Sequence, residues 1–311
     1  MSPVLTRETA DRPVTPDPTT TGGADEPVVL APVTTEEQSV SLSRAGRNLP
    51  AAITVGLSLG ALVVVSLFVR RELFVPLATA SVCIGVWEIS RALRRGGLVV
   101  PLVPALVGTV CMNVAAFVGG GQALAVTFGL TCVAILLWRF ADGVAGAARD
   151  TAGGIFVVAY PALLASFYAL MLAPGDGDWR IFTYVAVTVS SDIGGYAVGV
   201  TQGRHPMAPG ISPKKSWEGF AGSMLACVAV GIASVVFALH GRWWVGLALG
   251  ILASVVATVG DLVESTIKRD LGVKDMSNIL PGHGGVMDRL DSLVMVAPVA
   301  WAVLAIFVPV S

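Results

Sequence analysis

Between Asp261 and Asp291 the chain sets Asp261, Glu264, Lys268, Arg269, Lys274, Asp288, Arg289 and Asp291 around a glycine-rich turn, Pro281-Gly282-His283-Gly284-Gly285. Asp261 and Glu264 are one helical turn apart and Lys268 lies two turns from Asp261, so all three share one helix face. Asp288 and Asp291 repeat the i,i+3 spacing at the start of another apolar run. Two helix ends thus offer carboxylates toward one place, and hard oxygens on rigid elements suit Mg²⁺, which keeps water and phosphate in the rest of its shell. The turn ahead of Asp288 would let backbone N–H groups approach a phosphate, beside a helix start that also favours anions. A lone acid at a helix end is ordinarily a cap or a solvated charge. So dense a cluster, on a chain only 13% charged, points instead to a metal and phosphate site.

A second constellation lies upstream. Asp192 sits inside an apolar run behind Ser190 and Ser191, where an unpaired charge costs ~2.5–3.5 kcal/mol, so it must face a polar cavity or a partner. The structural alternative is a Ser/Gly helix-packing face with Asp192 paired to a neighbouring base. Further on comes Ser212-Pro213-Lys214-Lys215-Ser216-Trp217-Glu218-Gly219. Lys214 and Lys215 could be simple basic anchors at a membrane surface; fixed by Pro213 and followed at once by a new apolar run, they are also placed to aim ammonium groups at a triphosphate. Ser212, Ser216 and Glu218 belong to the same candidate binding segment. Glu88, three residues before Arg91, reads as half of an i,i+3 ion pair.

The elements that must hold these residues are membrane helices. The chain has 311 residues, 54% hydrophobic, with a mean hydropathy of +0.77, whereas soluble domains carry about 25% charged residues. Apolar runs at 49–69, 73–91, 98–118, 122–138, 152–173, 180–200, 219–239, 243–263 and 292–310 are each long enough to cross or nearly cross a ~30 Å hydrocarbon layer as helices. Alternating strands of barrel type are absent, and helices then satisfy the backbone in lipid. The expected fold is all-α and polytopic with about nine spans, in two parts: a disordered tail at 1–48, rich in Thr, Pro, Asp and Glu, and a membrane domain at 49–311 whose chemistry concentrates in 190–291. The tail lacks the apolar core of a signal peptide, so the first span reads as an anchor. Cys83, Cys111, Cys132 and Cys227 lie in apolar runs without CxxC spacing and read as core residues rather than zinc ligands or disulfides. A net charge of -1 gives no basic field for a nucleic-acid partner.

Fourteen basic residues fall on one side of the expected topology: Arg44, Arg47, Arg91, Arg94, Arg95, Arg139, Arg149, Arg204, Lys214, Lys215, Lys268, Arg269, Lys274 and Arg289. Four fall on the other: Arg70, Arg71, Arg180 and Arg242. This asymmetry puts the N-terminus and the two long connections, 201–218 and 264–291, in the cytoplasm.

The stretch from Ser265 to Asp291, with its Ser, Lys-Arg, Lys-Asp, His-Gly-Gly and Asp-Arg-x-Asp elements, resembles the C-terminal motif of the phosphatidate cytidylyltransferases, the CDP-diacylglycerol synthases. Ser212 to Gly219 and Asp192 to Tyr196 are also similar to that family, with Gly195 where it usually has Ala. The resemblance implies a plasma-membrane enzyme that joins phosphatidic acid and CTP into CDP-diacylglycerol and pyrophosphate. It implies Mg²⁺ on Asp261 and Asp288 with Asp291 nearby, room for a second ion such as K⁺, and a homodimeric habit. Catalytic roles would fall to Asp261, Lys268, Asp288 and Asp291. Lys214, Lys215, Lys268 and Arg289 would meet phosphates, with Asp192, Ser212, Ser216, Glu218, Arg269 and Lys274 beside them. His283, Gly284 and Gly285 would shape the nucleotide site, unless His283 only holds its turn. Competing readings are a transporter built on the intramembrane Asp192 and a CDP-alcohol phosphatidyltransferase or polyprenol kinase. Asp142-Gly143 followed by Arg149 superficially suggests the phosphatidyltransferase, at the wrong spacing.

Overall fold

The computed structural model of the chain describes residues 49–277, 279 and 284–310. The expected disordered tail and His283 therefore lie outside the described residues. The elements are helices α1 (Leu49–Val69), α2 (Arg71–Arg95) and α3 (Leu102–Ala141), then α4 (Ala147–Leu172) and α5 (Gly177–Gln202). Strands β1 (Pro206–Ala208) and β2 (Ser212–Ser216) follow, then α6 (Trp217–Ala238), α7 (Trp243–Asp270) and α8 (Met287–Phe307).

Seven of these helices are long and apolar enough to cross a membrane, against the nine spans expected. Of α1, only Gly60–Val69 counts as a described apolar stretch. The expected runs 98–118 and 122–138 join, from Leu102 on, into one helix of 40 residues, broken at Gly120, whose φ of 69° and ψ of -162° are non-helical. The two limbs fold back on each other there. A Cβ at Gly108 would stand 2.1 Å from Thr131, and these residues lie almost equally far from Gly120. In α4, Pro161 supplies no N–H to the ladder, and the helix widens to π geometry over Val158–Leu163. The connection 201–218, expected as a loop, contains an antiparallel hairpin that pairs Pro206 with Ser216 and Ala208 with Ser212.

Contacts sort the helix ends they involve between two ends of the bundle. At one, Val99 N–H donates to Asp150 (2.8 Å), Arg149 donates to Gly96 O (2.8 Å), and Arg139 pairs with Asp150 (2.9 Å). Lys215 meets Asp261 and Glu88 meets Met287 at the same end. At the other, Arg71 donates to Pro174 O (3.1 Å), and the buried Arg180 pairs with Asp176 and donates to Leu304 O and Val308 O. The described basic residues sort the same way, with Arg70, Arg71, Arg180 and Arg242 at the second end. Between the ends, Ile89, Met112, Ile135, Leu172, Ile181, Leu249 and Leu304 are fully buried, while α3 bares Val103, Val107, Val114 and Val118. Apolar side chains inside and outside alike are what a helix bundle in lipid requires. The chain is a multi-pass membrane protein.

Candidate active site

Small residues bring α5 and α6 together at the basic end. A Cβ at Gly194 would meet Gly222 O at 2.5 Å, one at Gly195 would meet Ser223 Oγ at 2.5 Å, and Ser223 Oγ donates to Ser191 O (2.7 Å). This is the close packing that Gly and Ser permit between membrane helices, and it sets Asp192 of α5 beside the start of α6. That start is fixed by Ser216, whose Oγ accepts from Gly219 N–H (3.1 Å) as an N-cap. Glu218 anchors the hairpin: it accepts from the N–H groups of Arg204 and His205, and His205 Nδ1 shares a 2.5 Å hydrogen bond with it. Its carboxylate is thereby committed to the fold.

The result is a cavity of about 220 Å³ whose wall includes Ser191, Asp192, Tyr196, Lys214, Lys215, Ser216, Thr258 and Asp261. The glycines of the Asp192 segment thus pack helices, and Asp192 lines the polar cavity; the base expected to pair with it does not come within ion-pair distance among the described residues. Lys215 Nζ donates to Asp261 Oδ2 (2.5 Å), and Ser292 Oγ donates to Asp261 Oδ1 (2.5 Å). Ser212, Arg269, Lys274 and Arg289 are not on this wall. Arg269 and Lys274 are exposed, beyond a turn in which Gly272 (φ 65°) closes α7, with Val273 N–H donating to Lys268 O and Gly272 N–H to Arg269 O.

Lys268 links α7 to α8. Its Nζ donates to Glu264 (2.6 Å) and to Asp288 Oδ1 (3.1 Å). The Asp288 side chain is only 5% exposed and accepts as well from Gly285 N–H (2.7 Å) and Met276 N–H (3.2 Å). Asp261, Glu264 and Asp291 lie near enough to repel one another, and Glu264 Oε1 is buried without a hydrogen-bond partner among the described residues. As the side chains stand, no three His, Cys, Asp or Glu among the described residues surround a single point. The ammonium group of Lys268 stands between Glu264 and Asp288, and that of Lys215 is bonded to Asp261.

Glu88 overturns its expected role. It does not pair with Arg91. It is fully buried and takes hydrogen bonds from Ser277 Oγ, Val286 N–H (3.0 Å) and Met287 N–H (2.7 Å). The N–H groups of Gly285, Val286 and Met287 are thus already held by carboxylates and do not offer themselves to a phosphate. Gly284 and Gly285 are still required, for another reason. Gly284 has φ 82°, and a Cβ on it would stand 2.8 Å from Asp288; one on Gly285 would stand 2.8 Å from Glu88. Sequence reasoning also missed Ser292 and Ser277, which carry no local signal; the sign for Glu88 was a carboxylate inside an apolar run, where burial demands donors.

Lysines and carboxylates thus gather around one polar cavity at the basic end of a membrane bundle. The profile of the Cytidylyltransferase family matches residues 50–307, and the chain belongs to that family. Among its relatives, the phosphatidate cytidylyltransferase of Mycobacterium leprae (strain TN) is 40% identical over 309 residues, covering 93% of this chain and 98% of its own. That of Mycobacterium tuberculosis (strain ATCC 25618 / H37Rv) is 38% identical over 287 residues, 87% of either chain. That of Brucella suis biovar 1 (strain 1330) is 40% identical over 195 residues, 60% of this chain and 67% of its own.

Proposed function

We propose that the chain transfers CMP from CTP to phosphatidic acid, giving CDP-diacylglycerol and pyrophosphate. The observation that carries this is likeness to relatives of that name along nearly the whole of both chains. The site agrees chemically. A phosphatidate oxygen is already anionic and attacks the α-phosphorus as the bond to pyrophosphate breaks, so no side chain need deprotonate a hydroxyl. The obstacle is repulsion between two polyanions, which positive groups must screen. Lys214 and Lys215 border the cavity and would turn to the triphosphate; Lys268 and Arg289 stand beside Asp288.

The donor set fits a hard divalent cation such as Mg²⁺. It is all carboxylate oxygen, it lies on adjoining ends of α7 and α8, and one of its buried oxygens, on Glu264, is unused. Asp261 and Asp288, with Asp291 beside them, would hold the ion once Lys215 and Lys268 swing to phosphate, and K⁺ is the second ion of this reading. Bound there, Mg²⁺ supplies neutralisation of phosphate charge. The basic-rich end would face the cytoplasm, where CTP is dissolved, in the plasma membrane, with Leu49 starting inside and Phe307 ending outside.

The test is purified protein with phosphatidate, labelled CTP and Mg²⁺. A lipid-soluble labelled nucleotide is expected, together with one pyrophosphate per turnover. Label that stays wholly in water would overturn the reading.

A further inference from the structure

A second cavity at the basic end, about 300 Å³, is lined by Trp87, Ser90, Arg91, Arg94, Val100 and Leu102 and shares no residue with the catalytic cavity. Arg91 lies over the Trp87 ring, 5.4 Å from its centroid. The acid one turn before it, Glu88, points the other way and is consumed by the start of α8. Among the described residues neither Arg91 nor Arg94 has a carboxylate within ion-pair distance. Two guanidinium groups thus border one concavity with no protein counter-charge.

We propose that this cavity binds the phosphate of an anionic phospholipid, at a site separate from the catalytic one. Guanidinium groups match phosphate oxygens in a bidentate fork, and basic clefts between helices at the cytoplasmic surface take anionic head groups. Two features select a lipid over a dissolved phosphate. An indole beside a cation is suited to the water–bilayer boundary, apolar on its body and polar at its tip. Val100 and Leu102 line the cavity as well, and α3, which begins at Leu102, bares Val103, Val107 and Val110 one helical turn apart, an apolar surface for acyl chains. The two arginines do more here than mark the inner side of the membrane, for which an open helix end would suffice.

The test uses the full chain in neutral detergent, titrated with short-chain phosphatidylglycerol, with bound lipid counted by native mass spectrometry; it does not depend on turnover. The wild type is expected to retain one phosphatidylglycerol that the Arg91→Gln/Arg94→Gln variant binds about tenfold more weakly or worse, while phosphatidylcholine is held equally by both. Arg91→Lys/Arg94→Lys is expected to keep most of the binding. Where the double glutamine variant does not fold, Arg94→Gln alone carries the comparison, with a severalfold loss. Equal phosphatidylglycerol retention by wild type and glutamine variant overturns the site. Displacement of the lipid by a modest excess of inorganic phosphate overturns its assignment to a lipid.

Discussion

Glu88 on α2 accepts a 2.7 Å hydrogen bond from the backbone N–H of Met287, 199 residues further along the chain. The first helix of the described core with a buried acid therefore caps the helix that carries Asp288, Arg289 and Asp291. Among the described residues, the groups hydrogen-bonded to this carboxylate are all donors: Met287 N–H, Val286 N–H and Ser277 Oγ. Glu88→Gln keeps the shape but turns an amide NH₂ toward those donors. An unsatisfied buried partner costs about 1–3 kcal/mol, so the variant should melt at lower temperature in detergent and turn over CTP at least about tenfold more slowly. Wild-type melting and turnover would show that α8 is held by something else.

Lys215 and Lys214 are adjacent yet should behave differently. Lys215 Nζ is bonded to Asp261 at the cavity wall and reaches Thr258 O (3.4 Å), whereas Lys214 is exposed. Lys215→Met should raise the KM for CTP about tenfold or more and lower kcat, since it also leaves Asp261 without its counter-charge. Lys214→Met should cost only a few-fold, with the difference from wild type fading as salt is added. Steady-state kinetics at two ionic strengths separate the cases, and equal losses would remove the distinction.

Asp261→Asn and Asp288→Asn should each abolish CTP-dependent product, but only the second should also destabilise the protein markedly. The Asp261 side chain is 26% exposed, while that of Asp288 is 5% exposed and holds Lys268 along with two backbone N–H groups. Breaking such a buried network costs about 3–5 kcal/mol, against about 0–1 kcal/mol for a pair open to solvent. Thermal melts beside activity measurements check this. A stable, inactive Asp288→Asn would assign that residue to chemistry alone, and an active one would remove it from the metal set.

Membrane character and the family motif were legible because both are local: a run of apolar residues, or a spacing of Asp, Lys and Gly, needs no partner to be seen. The break between the runs 98–118 and 122–138 was legible in Gly119-Gly120-Gly121, but the helix count was not, since the two limbs continue through Gly120 as one helix and only Gly60–Val69 of α1 is a described apolar stretch. The role of Glu88 was out of reach for a further reason. Its partners stand 189 to 199 positions away, and the nearest basic residue, Arg91, offered a simpler local match. The glycines before Asp288 were recognised as necessary but explained by an incoming phosphate, where the crowding atoms are carboxylates of the protein itself. The hairpin between α5 and α6 was hidden by Pro206 and Pro213, which weaken any strand pattern.

The α5–α6 contact provides a test of how the cavity is built. A Cβ at Gly222 would stand 2.5 Å from Val198 Cγ2 and 2.6 Å from Gly194 O, and the second is backbone that cannot rotate away. Gly222→Ala must therefore push α5 from α6, at about 1–3 kcal/mol for an overpacked contact. The shift separates Ser191 and Asp192 on one helix from Lys215 and Ser216 at the head of the other, so turnover should fall even at saturating CTP. Gly210, in the hairpin turn, has open space around a would-be Cβ, and Gly210→Ala should leave melting and turnover unchanged. If both alanine variants behave like wild type, the two helices are not in direct contact and the cavity does not depend on their spacing.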